Sequence, residues 1–280
     1  MASNCTSFLA FVAFWLATHH VSIAEIGSVD LVFLCAAALV AGLVDAVVGG
    51  GGLVQIPALF SVMPNAAPAM VFGTNKLSSI FGTASAALRY SRTVRIRWNA
   101  VLSAAITAFI FSYLGALTVS LIPANLMRAL VVPLLIVVAV YTFFKKDLGS
   151  VHAPLHEGAK EKFLAIALGA AIGFYDGFFG PGTGSFLVFL FVRYFGFDFL
   201  RASAAAKVVN VATNFAALLY FMPSGNLIWQ VGLLMAAFNV AGSLLGTRLA
   251  IRHGSGFVRQ MFLLVVSALI LKFGYDTFLK

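Results

Sequence analysis

The chain is written in long apolar runs rather than in alternating positions, and that rhythm predicts helices that cross a bilayer. Residues 31–49, 66–90, 97–118 and 126–144 are largely free of charge. Each is long enough to traverse roughly 30 Å of hydrocarbon as a helix. Strands of a membrane barrel would alternate with a period of two, and these runs do not. The run 53–62 is shorter, roughly 15 Å as a helix, and cannot span alone. It is joined to 31–49 through four consecutive glycines, Gly49 to Gly52. We read 31–62 as a helical hairpin whose glycine-rich tip lies inside the membrane. Residues 163–195 form its counterpart in the second half.

The counterpart is visible because the chain repeats itself. A shift of 131 residues lays AGLVDAVVGGGGLVQIPALF (41–60) on IGFYDGFFGPGTGSFLVFLF (172–191) without a gap. Asp45 falls on Asp176, Lys76 on Lys207, Trp98 on Trp229 and Gly115 on Gly246. Bland apolar sequence aligns easily with itself, so the weight rests on the two Asp and two Lys that coincide. The expected organisation is an apolar segment at 1–29, repeat 1 at 30–149, a linker at 150–160 and repeat 2 at 161–280. In segment 1–29, residues 7–24 read as an extra helix. A signal peptide is the alternative, since Ser22-Ile23-Ala24 resembles a cleavage site but no Lys or Arg precedes the run.

Loop charge orients the halves. In repeat 1 the arginines gather at 89–97, while 61–69 and 118–127 have none. In repeat 2 they gather at 193–201 and 248–259, and 220–230 has none. Cytoplasmic loops concentrate Lys and Arg. Loops 89–97, 145–162, 193–201 and 248–259 are therefore expected in the cytoplasm. A loop inside in one half then has its counterpart outside in the other. The fold expected is an all-α polytopic membrane protein of two inverted-topology repeats, each a Gly-tipped broken-helix hairpin plus three transmembrane helices, as in many secondary transporters.

Composition agrees and narrows the function. The 280 residues are 61% hydrophobic and 10% charged, with a mean hydropathy of +1.01. Soluble domains carry roughly 25% charged residues. The formal net charge of +9 reads as loop charge rather than a nucleic-acid footprint. Cys5 and Cys35 have no metal-like spacing and imply no disulfide framework. Gly49–Gly52 is not a phosphate loop, because no Gly-Lys-Ser/Thr follows. His152 and His156 flank Pro154 in a polar loop and suggest no metal site. With no nucleophile elbow and no paired catalytic carboxylates, we expect no enzyme, no cofactor and no metal.

The polar residues inside the apolar runs carry the chemistry. Lys207, Asn210 and Asn214 recur on one helix face, and Lys76, Ser79 and Thr83 form the matching stripe, beside Asn75. Intramembrane charge is costly and defaults to function. The glycine tips, Gly50–Gly52 in one half and Gly182, Thr183, Gly184 and Ser185 in the other, would aim helix N-termini and hydroxyls at the bilayer middle, a geometry suited to a small anion. The expected anion site is therefore Gly50, Gly51, Gly52, Asn75, Lys76, Ser79, Gly182, Thr183, Gly184, Ser185, Lys207, Asn210 and Asn214. The lysines could instead serve only as structural partners of Asp45 and Asp176. Those carboxylates could carry a coupling proton, or could hold the N–H groups of the glycine tips.

GLVDAVVGGGGLVQIPAL, TNKL at 74–77, GFYDGFFGPGTGSF and AKVVNVATN together resemble the TauE/SafE family of membrane transporters, the sulfite exporter or toluene-sulfonate-uptake group. The resemblance spans about residues 30–280 and includes both repeat motifs. It implies movement of small sulfur-containing anions such as sulfite or organosulfonates across the plasma (inner) membrane, export being the expected direction. The alternative is a passive anion channel. The partners expected are the small anion and the lipid bilayer, with a homodimer left open and nucleic acid excluded.

Overall fold

The structure, a computed structural model, describes residues 26–123, 126, 155 and 158–278. The apolar segment expected at 7–24, nearly all of the crossing expected at 126–144 and most of the linker lie outside these residues. Among the described residues eight helices follow in order: α1 Ser28–Val48, α2 Gly52–Val62, α3 Pro68–Thr93, α4 Trp98–Leu121, α5 Gly158–Phe178, α6 Thr183–Phe195, α7 Phe199–Phe221 and α8 Trp229–Phe278. No strand occurs among the described residues. The helix ends follow local rules. Pro68 sits in the first turn of α3, where a missing N–H is harmless. Asp198 caps α7 by accepting the Arg201 N–H at 2.9 Å. Gly254, at φ 73°, breaks α8. The starts of α2, α3 and α4 at residues 52, 68 and 98 recur at 183, 199 and 229 for α6, α7 and α8, the same 131-residue shift.

Packed pairs reveal the helix directions. Gly242 meets Leu39 and Gly246 meets Leu43, so α8 runs with α1. Gly82 meets Asn239 and Arg89 bonds Leu244, so α3 runs with α8. Gly169, Gly173 and Gly177 pack in turn on the backbone at Ala104, Ala108 and Ser112, so α5 runs with α4. In contrast, Phe72 meets Phe179 while Lys76 meets Asp176, which sets α3 against α5. Likewise Ser203 meets Val47 while Lys207 meets Asp45, which sets α7 against α1. The counterparts α1 and α5, and α3 and α7, thus point in opposite directions.

Among the described residues, four helices are long and apolar enough to cross a membrane: Ser28–Val48, Trp98–Val119, Phe199–Phe221 and Trp229–Met261. Helix α3 has 26 residues, but its polar stripe from Thr74 to Ser79 dilutes its hydropathy. Helices α2 and α6, of 11 and 13 residues, are too short to span. Much apolar surface faces outward. Leu102, Ile106 and Ile110 form an exposed stripe along α4, at 47%, 63% and 52% exposure. Such a stripe is stable against lipid tails and costly against water. The chain is an all-α polytopic membrane protein.

Two apolar clusters mark the two ends of the bundle. One gathers Val94, Ile96, Phe197, Phe199, Ala250 and Phe257, beside the arginine-bearing connections. The other gathers Met63, Ala66, Ile122, Met222 and Ile228, from the uncharged connections.

Candidate functional site

A helix that stops inside a membrane protein leaves its last carbonyls without partners. Here three other helices supply them. At the end of α1, the Ala46 carbonyl accepts the Tyr90 hydroxyl at 2.8 Å, Val47 accepts Ser203 at 2.8 Å and Val48 accepts Ser185 at 3.3 Å. In the second half, the Pro181 carbonyl accepts the Tyr175 hydroxyl at 2.6 Å. The broken backbone is therefore satisfied by protein and not by lipid.

The two glycine tips meet. Gly49 has φ 79°, and a Cβ there would lie 2.2 Å from the Gly184 carbonyl carbon. A Cβ on Gly184 would in turn lie 2.6 Å from the Gly49 Cα. Only two residues without side chains allow this approach. Pro181 lies in the turn before α6. Gly182, at φ 81°, cannot continue a right-handed helix, so α6 begins at Thr183.

Beside the tips lie two crossed ion pairs. Lys76 Nζ on α3 donates to Asp176 Oδ2 on α5 at 2.5 Å. Lys207 Nζ on α7 lies 3.0 Å from Asp45 Oδ2 on α1, off the hydrogen-bond direction. Each half thus lends its lysine to the carboxylate of the other. Lys76 and Lys207 are buried, at 3% and 0% exposure. The same oxygen of Asp45 accepts the Thr83 hydroxyl at 3.2 Å. Neither carboxylate side chain accepts a tip N–H among the described residues. Their side-chain partners are Lys76 for Asp176, and Lys207 with Thr83 for Asp45.

These groups surround a cavity of about 30 Å³, room for about two waters. Its lining comprises Asp45, Gly50, Gly51, Gly52, Asn75, Lys76, Ser79, Thr83, Asp176, Gly180, Gly182, Thr183, Gly184, Asn210 and Asn214. Of the residues singled out by sequence, Ser185 and Lys207 do not line it. The Ser185 hydroxyl is committed to Val48, and Lys207 lies behind Asp45. The Thr183 hydroxyl donates back to Gly180 at 2.8 Å, so toward the cavity it can only accept. The Oδ1 atoms of Asn75 and Asn210 are buried without a hydrogen-bond partner, and a buried polar atom in that state calls for a ligand or water.

Three residues outside the expected set complete the arrangement, the first being Gly180, which lines the cavity before α6. Thr83 belongs to the polar stripe that the spacing revealed. Gln55, fully buried, donates to Ser78 at 3.0 Å and accepts from Ser79 at 3.3 Å, tying α2 to α3. Its signal was a lone amide in a short apolar helix. No cluster of His, Cys, Asp or Glu with metal-binding geometry occurs among the described residues.

Proteins similar to this chain carry the names of membrane transporters. It is 36% identical over 242 residues to "Probable membrane transporter protein ORF9" of a Sinorhizobium species, covering 86% of this chain and 91% of that one. It is 34% identical over 256 residues to a "Probable membrane transporter protein" of Haemophilus influenzae, covering 90% and 97%. The "Probable membrane transporter protein YfcA" of Escherichia coli K12 is 34% identical over 245 residues, with 86% and 88% covered. No solved structure matches the chain. The family described as "Sulfite exporter TauE/SafE" matches residues 34–273, which takes in both glycine tips and both ion pairs. The chain belongs to this family of membrane transporters.

Proposed function

We propose that the chain is a secondary transporter that exports a small sulfur-containing oxyanion, sulfite or an organosulfonate, across the plasma membrane by alternating access. The two halves act as inverted repeats around the central cavity. The opposed directions of α1 and α5 support that plan, as does the gathering of the arginine-bearing connections at one end, which we take as cytoplasmic. The observation that carries the proposal is the pair of crossed Lys–Asp bridges at the meeting point of two helix tips. Two ammonium and two carboxylate groups leave the cavity formally neutral. An entering monoanion must compete with a carboxylate for its lysine, and it leaves the site one charge negative. Protonation of Asp45 or Asp176 removes that charge and frees the lysine in one step. Anion and proton therefore move together, and each binds more tightly when the other is present. Glycine N–H groups and the positive ends of α2 and α6 add neutral donors for the oxyanion. A cavity of about 30 Å³ has no room for a file of ions, which favours a carrier over a channel.

The test is flux of labelled sulfite and of a small sulfonate through proteoliposomes under an imposed pH gradient. We expect flux that follows the gradient and falls at least about tenfold in Lys76→Ala and Lys207→Ala, the loss of about 1.4 kcal/mol or more of anion stabilisation. Flux equal in wild type and variants would remove the proposal. Ionic current in planar bilayers with no proton coupling would replace it with a channel.

A further inference from the structure

We infer that the arginine-rich end of the protein holds a second anion site, unrelated to the transport cavity, that binds the headgroup of an anionic phospholipid. Arg89 and Arg92 at the end of α3 and Arg248 and Arg252 on α8 line one open crevice of about 530 Å³. They come from different halves of the chain, so no single stretch of sequence contains the site. Arg89 is held in place, donating to the Leu244 carbonyl at 3.3 Å. Arg92, Arg248 and Arg252 have no carboxylate partner among the described residues. Guanidinium groups gathered without a counter-charge repel one another, and an oxyanion relieves that repulsion through forked hydrogen bonds.

Lipid, rather than a free phosphate, is favoured by what lies next to the crevice. Leu88 on α3 and Leu245 and Leu249 on α8 are exposed at 53%, 51% and 38%. On α8 the order Leu245, Arg248, Leu249, Arg252 follows one helix face at three- and four-residue steps. It climbs about 10 Å from apolar band to charge. The surface therefore matches a molecule with an acyl tail and an anionic head. The positions related by the 131-residue shift, Tyr220, Pro223, Leu117 and Leu121, carry no charge. The site thus exists on one face of the membrane alone. A headgroup seated there would touch α3 of the first half and α8 of the second, and would clamp the two together.

The experiment is native mass spectrometry of the full chain in detergent with phosphatidylglycerol, phosphatidylcholine or soluble glycerol phosphate. We expect phosphatidylglycerol to be retained at least about tenfold over phosphatidylcholine. Each of Arg92→Gln, Arg248→Gln and Arg252→Gln should lower that retention roughly fivefold. Arg193→Gln, an arginine outside the crevice, should not. Unchanged retention in all three single variants would overturn the site. Displacement of bound lipid by equimolar glycerol phosphate would overturn the lipid assignment in favour of a soluble anion. Should a crevice variant lose helicity by circular dichroism, Arg→Lys at the same position keeps the charge without the fork, and is expected to keep part of the retention. A Lys variant indistinguishable from Gln in a folded protein would also count against headgroup binding.

Discussion

Replacing Asp176 with Asn tests whether the crossed pairs are energetically real. At 2.5 Å and an effective dielectric of about 20, the gross attraction between Lys76 and Asp176 is about 6–7 kcal/mol. Most of it is offset by taking both groups out of water, since both side chains are at 4% exposure or less. The net worth of the pair is therefore small, whereas stranding one partner costs about 3–5 kcal/mol. Asp45 also attracts Lys76, which places Asp176→Asn nearer 3 than 5 kcal/mol. Lys76→Met leaves Asp176 with no cation beside it and should cost more. The double variant Lys76→Met/Asp176→Leu strands nothing and should lose less than either single variant, for a coupling of at least about 2 kcal/mol. Reversible unfolding in mixed micelles, titrated with denaturing detergent and followed by tryptophan fluorescence, measures all four corners of the cycle. Single variants within about 1 kcal/mol of wild type, or a double variant equal to the sum of the singles, would refute the reasoning.

Two further outcomes are expected. Gly49→Ala and Gly184→Ala each force the tips apart by more than a side chain can absorb, and thermal unfolding in detergent should fall by roughly 10 °C, with less than about 2 °C arguing that the tips do not touch. Tyr90→Phe leaves the buried Ala46 carbonyl without its donor and should cost about 1–3 kcal/mol in the micelle unfolding assay, with no change indicating that water replaces the hydroxyl.

Much of this architecture could be read from the chain because lipid permits few solutions. Glycines at 49–52 and 180–184 had to mark breaks, and a break at membrane depth had to be enclosed by protein. Asp45, Lys76, Asp176 and Asn210 sit in apolar helices, and polar groups in such helices converge on one interior; here they surround one cavity. Depth was harder. Ser185 is on the right helix, but a carbonyl from the other half claims its hydroxyl, and spacing along one helix cannot reveal that claim. Lys207 shares a helix face with Asn210 and Asn214, yet its long stem carries the ammonium behind Asp45. Nor does sequence say which lysine meets which carboxylate. That depends on how α3 crosses α5 and α7 crosses α1, a matter of packing between residues 100 apart in one pair and 162 apart (207 − 45) in the other. The arginine crevice was invisible for the same reason, its members being contributed by both halves.

The crossed bridges also bind the two halves into one folding unit. Lys76 gives its hydrogen bond to Asp176 and Lys207 lies against Asp45, so each lysine has its nearest carboxylate in the other half. A fragment holding either half alone would bury an ammonium and a carboxylate without those partners, and stranded charge of that kind is strongly destabilising.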